Sequence, residues 1–361
     1  MINRILIINP FGIGDVLFTT PVIRALKEVY PECFIGYWCN LRVKPLLENN
    51  SKINKVFALS RGDIKKLYKE SFFKGFLNSL KLVLALKKER FNLCLDFSLD
   101  HRYGLLAKII GIKKRIGFNY KGRGRFLTDK IDITGYNDKH AIEYYLDLLR
   151  FLDITPKRKD LDLKIPGSLR AQAKDMLSKV GVKEEDLLVG IAPGAGGSWG
   201  KDAVYRHWPA LKFAQIADRL VERFKARILL LGDESDKHLA GVITNAMRSK
   251  PIDFTGKIGL NLLPAIINNC GLFISNDGGP MHIAVGLGVK TVTVMGPVDE
   301  KVYGPFPLDN NHKVLAWQGE CRPCYKNFRL PECKRDRECL KGISVDEVYE
   351  AVVKILSERV I

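Results

Sequence analysis

Residues 4–26 read RILIINPFGIGDVLFTTPVIRAL. The apolar run at 5–8 leads into a glycine-rich turn and then into a segment with helical spacing. A strand that is apolar throughout is buried on both faces, as in a parallel sheet covered by helices. Strand, glycine turn and helix in that order open many nucleotide-binding α/β domains. Here the helix opens with a carboxylate, Asp15, where such a domain would seat a phosphate. The pattern sets the fold class, and the acid poses the functional question.

The same alternation continues outward. Strands are predicted at 4–9, 33–38, 55–58, 92–96 and 115–118, with helices between them. The second half repeats the pattern in LLVGIAPG (187–194), ARILLLGD (226–233), PIDFTG (251–256), GLFISND (271–277) and KTVTVMGP (290–297). Turns with Gly194, Gly196, Gly197, Gly232, Asp233, Asp277, Gly278 and Gly279 follow these strands. In a parallel sheet they share the ligand edge. The stretch 153–168 is charged, holds two prolines and lacks a helical period, so it reads as a linker. The expected architecture is two doubly wound Rossmann-like domains, 1–165 and 166–361, facing a central cleft. The second carries a cysteine loop at 321–339 and a C-terminal helix.

A chain of 361 residues is too long for one ordinary core, and 46% hydrophobic with 27% charged residues is a soluble, globular balance. No apolar run approaches the ~20 residues of a membrane span, and no separate leader precedes the first strand. The expectation is a cytoplasmic protein, at most peripheral at the inner face of a membrane. The net charge is +18, from 58 Lys and Arg against 40 Asp and Glu. Residues 1–165 hold 31 against 17, or +14, and residues 166–361 hold 27 against 23, or +4. An anionic partner should therefore meet the first half.

Three nucleotide motifs fail. GIGDVL has Leu17 where a dinucleotide fingerprint needs its third glycine. AGGSWGKD (195–202) has Ala195 for the first glycine of a P-loop and Asp202 for its metal-binding hydroxyl. The protein-kinase set is absent. What remains is SNDGGPMHIAVGLGVKTVTVMGP (275–297), where a helix starting near Gly279 and Pro280 would offer free N–H groups and its dipole to a diphosphate. His282 on the first turn would point into the same space. The plainer reading makes Asp277 a helix cap and His282 a core histidine.

Together with GIGDVLFTTPVIRALK (12–27), IAPGAGG…RHWP (191–209), LLLGDESD (229–236) and the CRPCY…C…CL…I segment at 321–343, this stretch resembles glycosyltransferase family 9. That family comprises the ADP-heptose:lipopolysaccharide heptosyltransferases and their relatives. The resemblance implies a GT-B type α/β fold and inverting, metal-independent transfer of a heptose or related sugar from a nucleotide diphosphate, ADP-heptose first. It implies that Asp15 is the catalytic base and that Glu234 binds the donor ribose. It implies that Asp277, Gly278, Gly279 and His282 line the donor sugar and diphosphate. Arg206 falls where the family often has lysine, and keeps the charge with a two-pronged grip on phosphate. Gly278 departs from a frequent threonine. The loop from Gly194 to Arg206 is long, so Gly196, Gly197 and Lys201 are candidate diphosphate contacts of a different kind.

Chemistry read from the residues agrees: a carboxylate can take the acceptor's proton while helix N-termini and Arg206 stabilise the leaving diphosphate. The acceptor is expected to be an anionic, lipid-linked lipopolysaccharide inner-core or similar glycan. It would meet Gly14, Arg115, Lys121 and Arg123, with Arg125 nearby. Two other classes remain open. The cluster at 113–125 with Phe118, Tyr120 and Phe126 could bind nucleic acid, although no nucleic-acid fold signature accompanies it. SFFKGFLNSLKLVLALKKER (71–90) sets Phe72, Phe73, Phe76, Leu80 and Val83 on one helical face, the pattern of a membrane-surface adaptor, though such a stripe more often faces a core.

Cys33, Cys39, Cys94 and Cys270 lie on or near strands as buried thiols. Cys321, Cys324, Cys333 and Cys339 have the spacing C-x2-C-x8-C-x5-C. In a reducing compartment this suggests a structural metal, zinc first, ahead of a disulfide frame or free thiols. No metal is expected to be needed for catalysis.

Overall fold

The computed structural model describes residues 2–357, leaving aside the side chains of Arg61, Ser198 and Lys201. The chain divides into two compact units, Met1–Asp162 and Leu163–Ile361.

The first unit is a six-stranded sheet in the order β3-β2-β1-β4-β5-β6, comprising β1 (Arg4–Ile8), β2 (Phe34–Cys39), β3 (Lys55–Ala58), β4 (Leu93–Asp96), β5 (Lys114–Tyr120) and β6 (Asp129–Ile133). Every pairing is parallel. The central strands are sealed on both faces: Ile5 to Ile8 and Leu93 to Leu95 are fully buried, as their unbroken apolar runs require. The strand order reverses between β1 and β4, where Ile8 pairs with Asp96. That reversal opens a crevice beyond the carboxyl ends of the two strands.

The second unit has the same design in the order β12-β11-β10-β7-β8-β9. Its strands are β7 (Leu188–Ala192), β8 (Arg227–Leu230), β9 (Ile252–Asp253), β10 (Leu272–Asn276), β11 (Thr291–Met295) and β12 (His312–Ala316), again all parallel. Here the reversal lies between β10 and β7. The helix Val345–Ser357 lays Val348, Val352 and Ile355, at helical spacing, onto the core around Trp208, Phe213 and Ile274.

Two strands escape the sequence reading, β6 and β12. Both are sheet edges, and β6 (DKIDI) is nowhere fully buried. Moreover, β6 runs parallel to β5 after a link of only residues 121–128, whereas a parallel crossover ordinarily needs a dozen or more. Left-handed backbone at Lys121 (φ 51°) and Gly122 (φ 73°) turns this short link. Arg115 braces it, its guanidinium donating to the carbonyls of Ile112, Lys113 and Phe126.

Candidate active site

At the first sheet's reversal, Asn9, directly after β1, is fully buried and shapes the turn. Its Oδ1 accepts the Phe11 N–H at 3.2 Å and its Nδ2 donates to the Asp15 carbonyl at 3.0 Å. The helix Ile13–Phe18 begins after Gly12, so Asp15 is its third residue, with Gly14 beside it. The half-buried Asp15 carboxylate reaches back to accept the Gly12 N–H at 3.2 Å. This is the returning arm of a capping box.

A second carboxylate stands at the same crevice. Asp96 ends β4, 5% exposed, and accepts the Ser98 N–H at 2.9 Å. Burial pushes its carboxyl up to about 6, against the opposing pull of Ser98. The polar end of FNLCLDFS was the only signal for it.

Of the expected acceptor contacts, Lys121 and Arg123 follow β5 at the ligand edge, both exposed and both stacked on the Tyr120 ring (4.9 and 5.6 Å). Arg115 differs. It sits near the start of β5, away from that edge, and its guanidinium is committed to backbone carbonyls. Phe118 and Tyr120 are buried, whereas Phe126 is half-buried with Arg125 over its ring at 4.9 Å, so one ring of the three is left for a base to stack on.

At the second sheet's reversal, the turn after β7 and the turn after β10 touch. A Cβ added to Gly278 would lie 3.1 Å from the Ala195 carbonyl oxygen, so a side chain there would require the turn after β7 to give by a few tenths of an ångström. Asn276, 1% exposed, holds the two turns in place: its Nδ2 donates to the Pro193 carbonyl at 2.6 Å and its Oδ1 accepts the Trp208 N–H at 2.9 Å. Replacing Asn276 with Ala strands a buried acceptor and a buried donor. Urea denaturation is expected to show a loss of about 2–3 kcal/mol with an unchanged m-value.

Gly278 is the N-cap of the helix Gly279–Gly286, so the cap reading of Asp277 fails. The Asp277 carboxylate instead pairs with Arg206 at 2.8 Å, the two side chains 3% and 8% exposed. Burial pushes the Asp277 carboxyl up and the Arg206 guanidinium opposes it. The Arg206 Nε is buried with no hydrogen-bond partner among the described residues. The guanidinium also lies 4.6 Å over the Trp199 ring, and Trp199 packs on Tyr325 at 4.8 Å. His282, the fourth residue of its helix, is buried. Gly196 takes a left-handed φ of 75° at the start of the Gly197–Arg206 segment, and Lys201's side chain lies outside the described residues.

The turn after β8 carries three acids, of which Glu234 and Asp236 have opposite character. Glu234 is exposed and ion-pairs with Lys237 at 2.7 Å. Asp236, missed in the sequence, is buried and accepts the Asp233 N–H at 3.1 Å. Burial and Asp233 push it up to about 6. A Cβ on Gly194 would fall 2.1 Å from its Oδ1, so Gly194 is glycine to admit this carboxylate. The D-x-x-D spacing of the capping box was the available signal.

The cysteine segment is pinned by Arg322, which donates to the carbonyls of Gly296 (2.7 Å) and Val298 (2.8 Å) and to Glu300 (2.7 Å). Through Tyr325 it backs Trp199 and hence Arg206. All four of its cysteines are free thiols, from exposed Cys321 to buried Cys339, and burial with the neighbouring thiols pushes Cys339 up to about 11. Among the described residues no group of three or more His, Cys, Asp or Glu is placed to hold a metal ion. What the structure does give this segment is a packing contact, Tyr325 against Trp199.

The family model described as Glycosyltransferase family 9 (heptosyltransferase) matches residues 79–334. Lipopolysaccharide heptosyltransferase 3 of Escherichia coli (strain K12) is 26% identical, covering 96% of each chain. A glycosyl transferase family 9 structure from Veillonella parvula shares the fold with a TM-score of 0.83 at 24% identity, covering 99% of this chain and 98% of that one. The E. coli ADP-heptose lps heptosyltransferase II structure does so with a TM-score of 0.76 at 20% identity, covering 98% and 99%.

Proposed function

The chain belongs to glycosyltransferase family 9, the heptosyltransferase family, and from that premise we propose that it transfers a heptose from ADP-heptose, with inversion, to an anionic, lipid-linked lipopolysaccharide inner-core acceptor. The observation that carries the donor half is the second sheet's reversal. There, an uncapped helix start at Gly278 and Gly279 adjoins a buried guanidinium with an unpartnered Nε–H. That is the equipment for a diphosphate, since both partial and full positive charge meet it. ADP-heptose is favoured because a solved relative of the same fold carries that donor in its name.

In this reading the acceptor hydroxyl oxygen bonds to the anomeric carbon as the bond to the diphosphate oxygen breaks. Asp15 accepts the hydroxyl proton. The helix amides and Arg206 hold the departing ADP. Glu234, exposed after β8, accepts hydrogen bonds from ribose hydroxyls, and Gly196, Gly279 and His282 line the donor. Lys121 and Arg123 steer the anionic acceptor to the first unit. No divalent cation takes part.

A calorimetric screen of nucleotide sugars tests the reading. ADP-heptose is expected to bind most tightly, and transfer to a lipopolysaccharide core acceptor is expected to survive EDTA. Tighter binding of a UDP- or GDP-sugar would overturn the donor. Activity lost in EDTA and restored by Mg²⁺ would overturn the metal-free mechanism.

A further inference from the structure

The helices Arg61–Glu70 and Phe72–Lys88 carry an apolar face that covers no core. Tyr68, Phe72, Phe73, Phe76, Leu77, Leu80 and Leu84 are seven of the fifteen exposed large apolar side chains among the described residues, with Phe72 75% and Phe73 72% exposed. The expectation of a core-facing stripe is therefore corrected. At about 100° per residue, positions 72 to 84 sweep an arc of about 140° on one side of the longer helix. Gly75, Leu82 and Leu86, on the other side, are the buried ones. Gly75 lets the Tyr68 ring lie against the helix backbone, and Tyr68 meets Phe72 edge-on at 5.6 Å, which ties the two helices into one surface.

The charge around this face is predominantly positive. Lys74, Lys81 and Lys88, seven residues apart, form a row along its flank, and Lys65, Lys66 and Lys69 stand exposed on the shorter helix. Residues 60–90 hold nine Lys and Arg against three Asp and Glu, or +6. Of the three acids, Asp63 caps its own helix, Glu89 is tied to Arg4 and Lys55, and exposed Glu70 pairs loosely with Lys74 at 3.7 Å.

We propose that this helix pair is a docking surface for a bilayer bearing anionic phospholipid headgroups. The phenylalanines and leucines enter the boundary between headgroups and acyl chains, and the lysine rim meets the phosphates. An in-plane helix needs just this combination of a wide apolar arc and a cationic flank. A second copy of the chain fits less well. A two-fold pairing would set each patch on its own image and bring two +6 rims together. The test reads binding to vesicles with no nucleotide sugar or glycan present, so its outcome does not depend on the donor or acceptor reading.

The full chain is mixed with sonicated vesicles of phosphatidylethanolamine and phosphatidylglycerol, or of phosphatidylcholine alone, and floated on a density gradient. Wild type is expected to float with the anionic vesicles at least about tenfold more than with the neutral ones. The variant Phe72→Gln/Phe73→Gln/Phe76→Gln is expected to lose about tenfold or more of that binding. Its Tm should hold, because the replaced rings cover no core. Lys74→Glu/Lys81→Glu/Lys88→Glu is expected to lose the preference for anionic lipid. If the phenylalanine variant unfolds, the single variant Phe73→Trp answers in its place, with a blue-shifted emission expected on adding anionic vesicles. Wild type left at the bottom of the gradient, variants that float like wild type, or an unshifted Phe73→Trp emission would each overturn the proposal. So would light scattering that shows a wild-type dimer broken by the phenylalanine changes.

Discussion

Asp15→Asn is expected to lower turnover by roughly 10²-fold or more, the scale of a lost general base, while folding and nucleotide-sugar affinity stay close to wild type. The substitution isolates charge from architecture. Asp15 has a structural task, since its Oδ2 accepts the Gly12 N–H at 3.2 Å and its carbonyl accepts from Asn9 at 3.0 Å. Losing that cap outright would cost about 0.5–2 kcal/mol. Asparagine keeps a side-chain oxygen for Gly12 and the same backbone carbonyl, so the turn should survive. It cannot accept a proton from an alcohol at neutral pH. Single-turnover rates with saturating donor separate the two roles. Near-normal turnover would leave Asp15 as a cap and transfer the base to Asp96, which lies one strand away in register with Ile8. Because burial pushes the Asp96 carboxyl up to about 6, a base in that position would also bring a rate that falls as pH drops through 6.

How far the sequence discloses this arrangement depends on how local each feature is. The strand, turn and helix around Asp15 are contiguous, and so is the run from Ser275 to Pro297. Periodicity and turn chemistry place both. Edge strands are less legible, because β6 (DKIDI) is mostly charged, is nowhere fully buried and follows too short a link for an ordinary crossover. Partnerships across the chain are not legible at all. Nothing in SNDGG or in RHWP says that Asp277 and Arg206, 71 positions apart, share one buried ion pair. The same holds for Gly194, whose need for glycine comes from the Asp236 carboxylate 42 positions later. Amphipathic spacing at 72–84 fixed which residues share a face, but whether that face meets protein or solvent is a tertiary fact.

Asp277→Asn is expected to be the most destabilising of the single changes considered, because it leaves the Arg206 guanidinium as an uncompensated charge only 8% exposed. Breaking a buried pair from one side typically costs about 3–5 kcal/mol, whereas replacing both charges with neutral groups of similar volume is often close to neutral. That asymmetry allows scaffold and ligand roles to be told apart. Asp277→Asn should lower Tm sharply and weaken donor binding. Adding Arg206→Met should restore most of the stability, since Met can pack on Trp199 where the guanidinium now lies at 4.6 Å. Donor affinity should stay low in that double variant, because the charge and the forked N–H donors that would meet the diphosphate are gone. Calorimetry on the double variant is therefore the deciding measurement. If affinity returns along with stability, the pair serves only to hold the turns after β7 and β10 together. The diphosphate would then depend on the helix amides at Gly278 and Gly279, whose contribution does not change with either side chain.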